Sequence, residues 1–224
     1  MERTAGMTTA IVGVGNIGAA LARNLVAGGE SVVLAGKGPA RAAEIADELG
    51  PLARAATVQD AITDADTVVF AVWLDTMRVL IPQVAPLLEH KVVIDPSNPI
   101  AFDEKGQMMR SLPEGESAGS VAAALLPGNA HYVKAFGTLA AEVLAASANR
   151  TPRRAALFYA TDDEGAAAAA ERLIRTAGFD PVKAGGLADA GRIESPGGDL
   201  DQYGSGGEVV DRAQATAAVH DAGH

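Results

Sequence analysis

Gly13-Val14-Gly15-Asn16-Ile17-Gly18 is a G-x-G-x-x-G run that ends the β-branched stretch Thr9–Val14 and opens Asn16–Ala27, where Ile17, Leu21 and Leu25 recur every four residues. The first stretch reads as a strand and the second as a helix with one apolar face. A dinucleotide fold needs glycine at three places in such a junction: for the tight turn, for backbone approach to a pyrophosphate, and for close packing of helix on sheet. Gly13, Gly15 and Gly18 stand at those places. The helix start then offers unpaired N–H groups and a partial positive charge to the phosphates. A glycine-rich turn without a ligand has the same composition, but strand, spacing and helix together favour a dinucleotide site.

The second strand decides which dinucleotide. Ser31–Ala35 is a continuous apolar run, as a strand covered on both faces requires. NAD sites place Asp or Glu about twenty residues beyond the glycines to bind the ribose hydroxyls. Here the chain reads Leu34-Ala35-Gly36-Lys37-Gly38-Pro39-Ala40-Arg41, with no carboxylate and two cations. Lys37 as a point charge and Arg41 as a bidentate fork suit a 2′-phosphate, although both also suit a solvated loop. NADP(H) is the expected cofactor.

Outward from this junction, short β-branched runs alternate with Ala-rich helical stretches, the pattern of a parallel sheet with crossover helices. Helices are expected over Pro39–Leu49, briefly after Thr57, and over Thr76–Leu88, Ser117–Leu126 and Thr138–Ala148. Strands are expected over Ala53–Ala56, Asp66–Trp73, Lys91–Asp95 and Ala130–Phe136, with Ile100–Glu116 read as irregular and Asn149–Arg153 as a linker. Arg154–Ala160, Glu164–Ala177 and Pro181–Ala184 make a last strand–helix–strand unit. The glycine-rich segment Pro196–Gly207 reads as a mobile lid or a flexible tail, and the residues after it as lacking fixed structure. The fold class is α/β, a doubly wound, Rossmann-like, mostly parallel sheet. Residues 1–150 form the dinucleotide-binding domain, and 151–224 a small C-terminal α/β extension for substrate or dimerisation, ending in the flexible tail.

Composition narrows the function. The 224 residues include no cysteine, which removes disulfides, thiolate nucleophiles and cysteine metal sites. A net charge of -10 argues against tracking a nucleic-acid backbone. No apolar run reaches the ~18 residues of a membrane span, and Met1–Met7 does not lead into a signal-peptide core. The expectation is a cytoplasmic homodimer acting on a small-molecule redox partner, without bound metal, nucleic acid or membrane.

Acid–base candidates are few. His131 precedes a strand, His90 lies in a turn, and His220 and His224 are in the tail. Lys134, inside the apolar run Tyr132–Phe136, reads either as a functional lysine or as one that reaches solvent from a strand end. Trp73 stands at the carboxyl edge of its strand, either covering a cofactor or capping the core.

Taken in order, several of these stretches resemble the family of coenzyme F420-dependent NADP reductases. They are the Gly13–Gly18 turn, the non-acidic end of the second strand, Ala71-Val72-Trp73, Asp95-Pro96-Ser97-Asn98-Pro99, Val133-Lys134-Ala135-Phe136-Gly137-Thr138, and Leu187 with Arg192-Ile193-Glu194-Ser195-Pro196. The resemblance implies hydride exchange between NADP(H) and a deazaflavin, coenzyme F420, by direct ring stacking. It implies that Gly15, Asn16 and Ile17 contact the pyrophosphate, and that Gly36, Lys37 and Arg41 surround the 2′-phosphate. Ala71, Val72 and Trp73 would flank the ribose, with Asn98 and Ala135 beside the nicotinamide. Gly36-Lys37 departs from the Ser-Arg of many relatives, and Gly137 from their Asn. Such a reaction depends on alignment more than on an acid–base group. The alternatives are an NADPH-dependent reductase of another small acceptor (an imine, a flavin or a ferric species) and a non-catalytic NADPH sensor.

Overall fold

The computed structural model describes residues 7–221; the leader reading of the segment before Met7, and His224, lie outside the described residues. The chain runs β1 (Thr8–Val12), α1 (Asn16–Ala27), β2 (Ser31–Ala35), α2 (Pro39–Leu49), β3 (Ala53–Ala55), α3 (Val58–Thr63), β4 (Thr67–Phe70) and α4 (Leu74–Val84). It continues through β5 (Val92–Asp95), β6 (Ile100–Phe102), β7 (Met108–Arg110), α5 (Ala118–Ala123), β8 (His131–Ala135) and α6 (Ala141–Ser147). The last elements are β9 (Ala156–Ala160), α7 (Glu164–Thr176), β10 (Asp180–Gly185), a 3-10 segment (Leu187–Ile193) and α8 (Arg212–Asp221).

One sheet has the order β10-β9-β8-β5-β4-β1-β2-β3. Its neighbours are parallel from β3 to β8, then β8 and β9 pair antiparallel and β9 and β10 parallel. The run β3-β2-β1-β4-β5-β8 is the doubly wound order, and the winding reverses between β1 and β4. Residues alternate between the two faces as a pleated strand requires. Ile11, Leu34, Ile94 and Val133 pack under α1, α2, α6 and α7, whereas Ala10, Val33, Val68 and Val93 pack under α3, α4 and α5. A smaller cluster joins Phe158 and Val182 to Ile193, Leu200 and Ala215 of α8.

Local signals explain most element ends. Pro39 starts α2 behind the Gly38 N-cap, and Gly50, at φ 79°, ends it. Thr57 Oγ1 accepts the Asp60 N–H at 3.1 Å and caps α3. β4 stops at Phe70 rather than Trp73, because its neighbour β1 ends at Val12, the residue paired with Phe70. The stretch 100–116, expected to be irregular, contains the antiparallel hairpin β6–β7. The end of the chain, expected to lack fixed structure, forms α8 and buries Ala215. The segment Pro196–Gly207 is hydrogen-bonded to the loop after β8, with Gln202 N–H donating to Thr138 O at 3.0 Å.

Glu30, only 6% exposed, ties the two ends of the fold together. It accepts from Thr9 Oγ1 at 2.7 Å and from both terminal nitrogens of Arg172 at 2.5 and 3.1 Å. Removing the guanidinium leaves a buried carboxylate with one neutral donor. Arg172→Ala is therefore expected to lower unfolding stability by about 2–4 kcal/mol. Urea unfolding measures it, and a change below about 1 kcal/mol would show that the pair acts as an ordinary surface bridge.

Candidate functional site

β1, β2, β4, β5 and β8 all point their carboxyl ends to one edge, where their pairings end at Val12–Ala35, Val12–Phe70 and Asp95–Lys134. The residues singled out for the cofactor lie at these strand ends, in the loops that follow, or in the first turns of α1 and α2. At the reversal point, Gly13 has φ 104°, and a Cβ there would meet Ala71 O at 2.3 Å. A Cβ on Gly18 would lie 1.8 Å from Gly13 O, so α1 packs against the turn only because this residue is glycine. Gly15 is different: it is exposed, and a Cβ there would have no neighbour within 4 Å. The space in front of its backbone is open.

The N-terminus of α1 carries no side-chain cap and no acidic residue in its first turn. The first intrahelical bond is Ala19 N–H to Gly15 O at 2.8 Å, which leaves the amides of Asn16, Ile17 and Gly18 ahead of it. Asn16 is exposed, and Ile17 packs against the core. This donor cluster, with open space before it, suits a pyrophosphate.

Gly36 lies under the side chain of Val14, 3.4 Å from where its own Cβ would be. Lys37 is exposed and has no ion pair among the described residues. Arg41, in the first turn of α2, pairs with Glu44 at 3.2 Å, both being more than half exposed. The β2 end thus presents Lys37 and Arg41, with the Glu44 carboxylate held by Arg41.

Ala71 and Val72 press against Gly13, whereas Trp73 is 59% exposed, which rules out its reading as a cap on the core. Trp73 lines a cleft of about 210 Å³ with Leu74, Asp75, Ile100, Phe102 and Ser111. Asp75 accepts a hydrogen bond from Arg78 at 3.0 Å. The hairpin wall of this cleft was missed in the sequence. Its signal was two short apolar runs around Gly106, which turns at φ 75°.

Behind the β5 and β8 ends lies a group of charges. Lys134 is buried, which excludes the reading in which it reaches solvent, and its Nζ lies 3.0 Å from Asp95 Oδ2 and 3.7 Å from Glu194 Oε1. Tyr132 Oη donates to Asp95 at 2.8 Å; burial, then the Asp95 charge, hold this phenol well above its usual range. Burial likewise raises the Glu194 carboxyl, against the opposing pull of Lys134.

Asn98 is half-buried, and both ends of its amide are used: Nδ2 donates to Gly137 O at 2.8 Å and Oδ1 accepts from Ser195 N–H at 3.0 Å. The Ala135 methyl sits in the core, so only its backbone can face a ligand. Phe136 follows at φ 68°, an uncommon conformation for a bulky residue and placed at the site edge. A Cβ on Gly137 would lie 2.7 Å from Pro96 O, so a side chain there fits only if this backbone shifts.

His131 contacts Asp163 at 2.6 Å, and this hydrogen bond holds that carboxyl below its usual range. Asp163 also caps α7 by accepting from Ala166 N–H at 2.8 Å, which gives the pair a structural task. His90 contacts Asn129, and His220 is exposed in the last turn of α8.

The family model described as NADP oxidoreductase, coenzyme F420-dependent, matches residues 8–99. The hypothetical protein SMa0349 from Sinorhizobium meliloti is 34% identical, with 87% of this chain and 93% of that one covered and a TM-score of 0.77. A protein of Arthrobacter sp. FB24 assigned as an F420-dependent NADP-reductase shares the fold, with a TM-score of 0.72, 23% identity, and coverage of 83% and 87%. Metalloreductase STEAP3 of Rattus norvegicus is 28% identical over 185 residues, which are 83% of this chain but 35% of that protein's length. No helix among the described residues is long and apolar enough to cross a membrane.

Proposed function

The chain belongs to the family of coenzyme F420-dependent NADP oxidoreductases, and from that membership we propose that it transfers a hydride between NADP(H) and the deazaflavin F420. Bound at this edge, the reduced nicotinamide would supply the hydride, and water the proton that the reduced deazaflavin needs. The amides of Gly15, Asn16, Ile17 and Gly18 bind the pyrophosphate, while Gly36, Lys37 and Arg41 take the 2′-phosphate. Ala71, Val72 and Trp73 border the ribose. The Asn98 amide and the Ala135 backbone lie beside the nicotinamide.

The observation that carries the ring-stacking reading is the exposed indole of Trp73, facing a cleft with Phe102 on the edge that holds the dinucleotide turn. Aromatic walls suit a second planar ring and exclude water from it, which favours alignment over acid–base chemistry. The likeness to a metalloreductase supports a second reading, in which the same NADPH site serves another small acceptor.

Mixing the protein with NADPH and oxidised F420 is expected to bleach the deazaflavin absorbance. NADH is expected to act at least about tenfold more slowly, the worth of one charge-assisted contact. NADPH binding without bleaching would overturn the deazaflavin assignment. Ferric citrate and free flavin then distinguish another acceptor from a sensor.

A further inference from the structure

Hydride transfer between stacked rings gives no task to the charges buried behind the β5 and β8 ends. Lys134 is 1% exposed, and the two carboxylates beside it, Asp95 and Glu194, are 0% exposed. Burying one ammonium with two carboxylates is seldom more stable than an apolar core of equal volume. Its contacts instead show what the group holds. Lys134 Nζ donates to Asp95 and to the carbonyl of Ser97, and Asp95 Oδ1 accepts the Ser97 N–H at 2.7 Å. Glu194 accepts the N–H groups of Ala118 and Gly119 at 2.9 and 2.7 Å, which fixes the segment leading into Ser195.

These anchored segments converge on one side chain. Asn98 follows Ser97, accepts from Ser195, the neighbour of Glu194, and donates to Gly137, which lies just beyond Lys134 on the loop after β8. We propose that Lys134 is a positioning residue: its ammonium, set between Asp95 and Glu194, locks the Pro96-Ser97-Asn98 turn against Gly137 and Ser195 and so orients the Asn98 amide that aligns the nicotinamide. This rests on the reading above only in placing a nicotinamide at this edge. It does not depend on which acceptor receives the hydride.

The test compares the parent with Lys134→Met and Glu194→Gln, the latter keeping the shape of the side chain. Three quantities are read: the Kd for NADPH, the fluorescence lifetime of bound NADPH, and the single-turnover rate with F420. The phosphate contacts lie elsewhere, so the Kd is expected to change by about twofold or less. Misalignment of the ring is expected to shorten the lifetime and to slow hydride transfer by about 10- to 100-fold in Lys134→Met. The effect on Glu194→Gln is smaller and in the same direction, and this variant carries the test where Lys134→Met does not fold. Unchanged lifetimes in the folded variants, or Kd and rate worsening together, would overturn the proposal. Shortened lifetimes alongside a parent that does not bleach F420 would uphold it and remove the deazaflavin assignment instead.

Discussion

Gly15→Val is expected to fold like the parent and to bind NADPH about 100-fold more weakly or worse. The residue has φ -73°, so a side chain costs the backbone nothing there, and no atom of the protein lies within 4 Å of its Cβ position. A branched side chain instead fills the space through which a pyrophosphate reaches the amides of Asn16, Ile17 and Gly18. A charge-assisted hydrogen bond contributes about 1.5–3 kcal/mol, so blocking two of them removes about two decades of affinity or more. Gly18→Ala provides the contrast. Its methyl would lie 1.8 Å from Gly13 O, which α1 can relieve only by moving off the turn. That variant is expected to lose stability as well as binding. Thermal melts with NADPH titrations separate the two, and a stable Gly15→Val that binds NADPH as the parent does would place the dinucleotide elsewhere.

The difference between these two glycines also shows what was legible beforehand. Strand, turn and helix around Gly13–Gly18 are local, and each residue type there has a mechanical reason visible in the sequence. The spacing alone gives Gly15 the open approach and Gly18 the packing role, and the fold adds the partners, Gly13 O and the Ala71 methyl, that leave Gly18 no room for a side chain. Lys134 is the clearest case of a reading that the sequence leaves open between two roles. A lysine in an apolar run suits a functional role as well as an end that reaches water, and what decides is distant: one partner, Asp95, lies 39 residues away on the neighbouring strand, and the other, Glu194, after the last strand. Pattern carries no information about such pairings. The hairpin β6–β7 was obscure for another reason. Its strands have three residues each and leave Phe102, Met108 and Met109 exposed, so no alternation marks a buried face. Helix α8 likewise buries little beyond Ala215, and its amphipathic signal is correspondingly weak.

Replacing Lys37 and Arg41 together by alanine is expected to erase the preference for NADPH over NADH, by weakening NADPH about 100-fold and leaving NADH within about twofold. Each cation that meets the 2′-phosphate contributes a charge-assisted contact, about tenfold in affinity at the weak end of the usual range. NADH carries only an uncharged hydroxyl at that position and so loses little. The two cations are not equivalent. Lys37 has no ion pair among the described residues, whereas Arg41 is held by Glu44 at 3.2 Å. That pair is exposed and is worth at most about 1 kcal/mol, so a phosphate with more than one negative charge displaces the carboxylate. Arg41→Ala nevertheless does more than delete a contact, because it leaves the Glu44 charge uncompensated beside the phosphate. It is therefore expected to weaken NADPH more than Lys37→Ala does. Glu44→Gln moves in the opposite direction, tightening NADPH by a few fold with NADH unchanged. Salt sharpens the diagnosis, since exposed charges are screened within about 10 Å at 0.1 M. The NADPH advantage of the parent shrinks as ionic strength rises, while the doubly substituted protein shows little dependence. Equal losses for NADPH and NADH in the double variant would mean that Lys37 and Arg41 support the loop after β2 rather than read the phosphate.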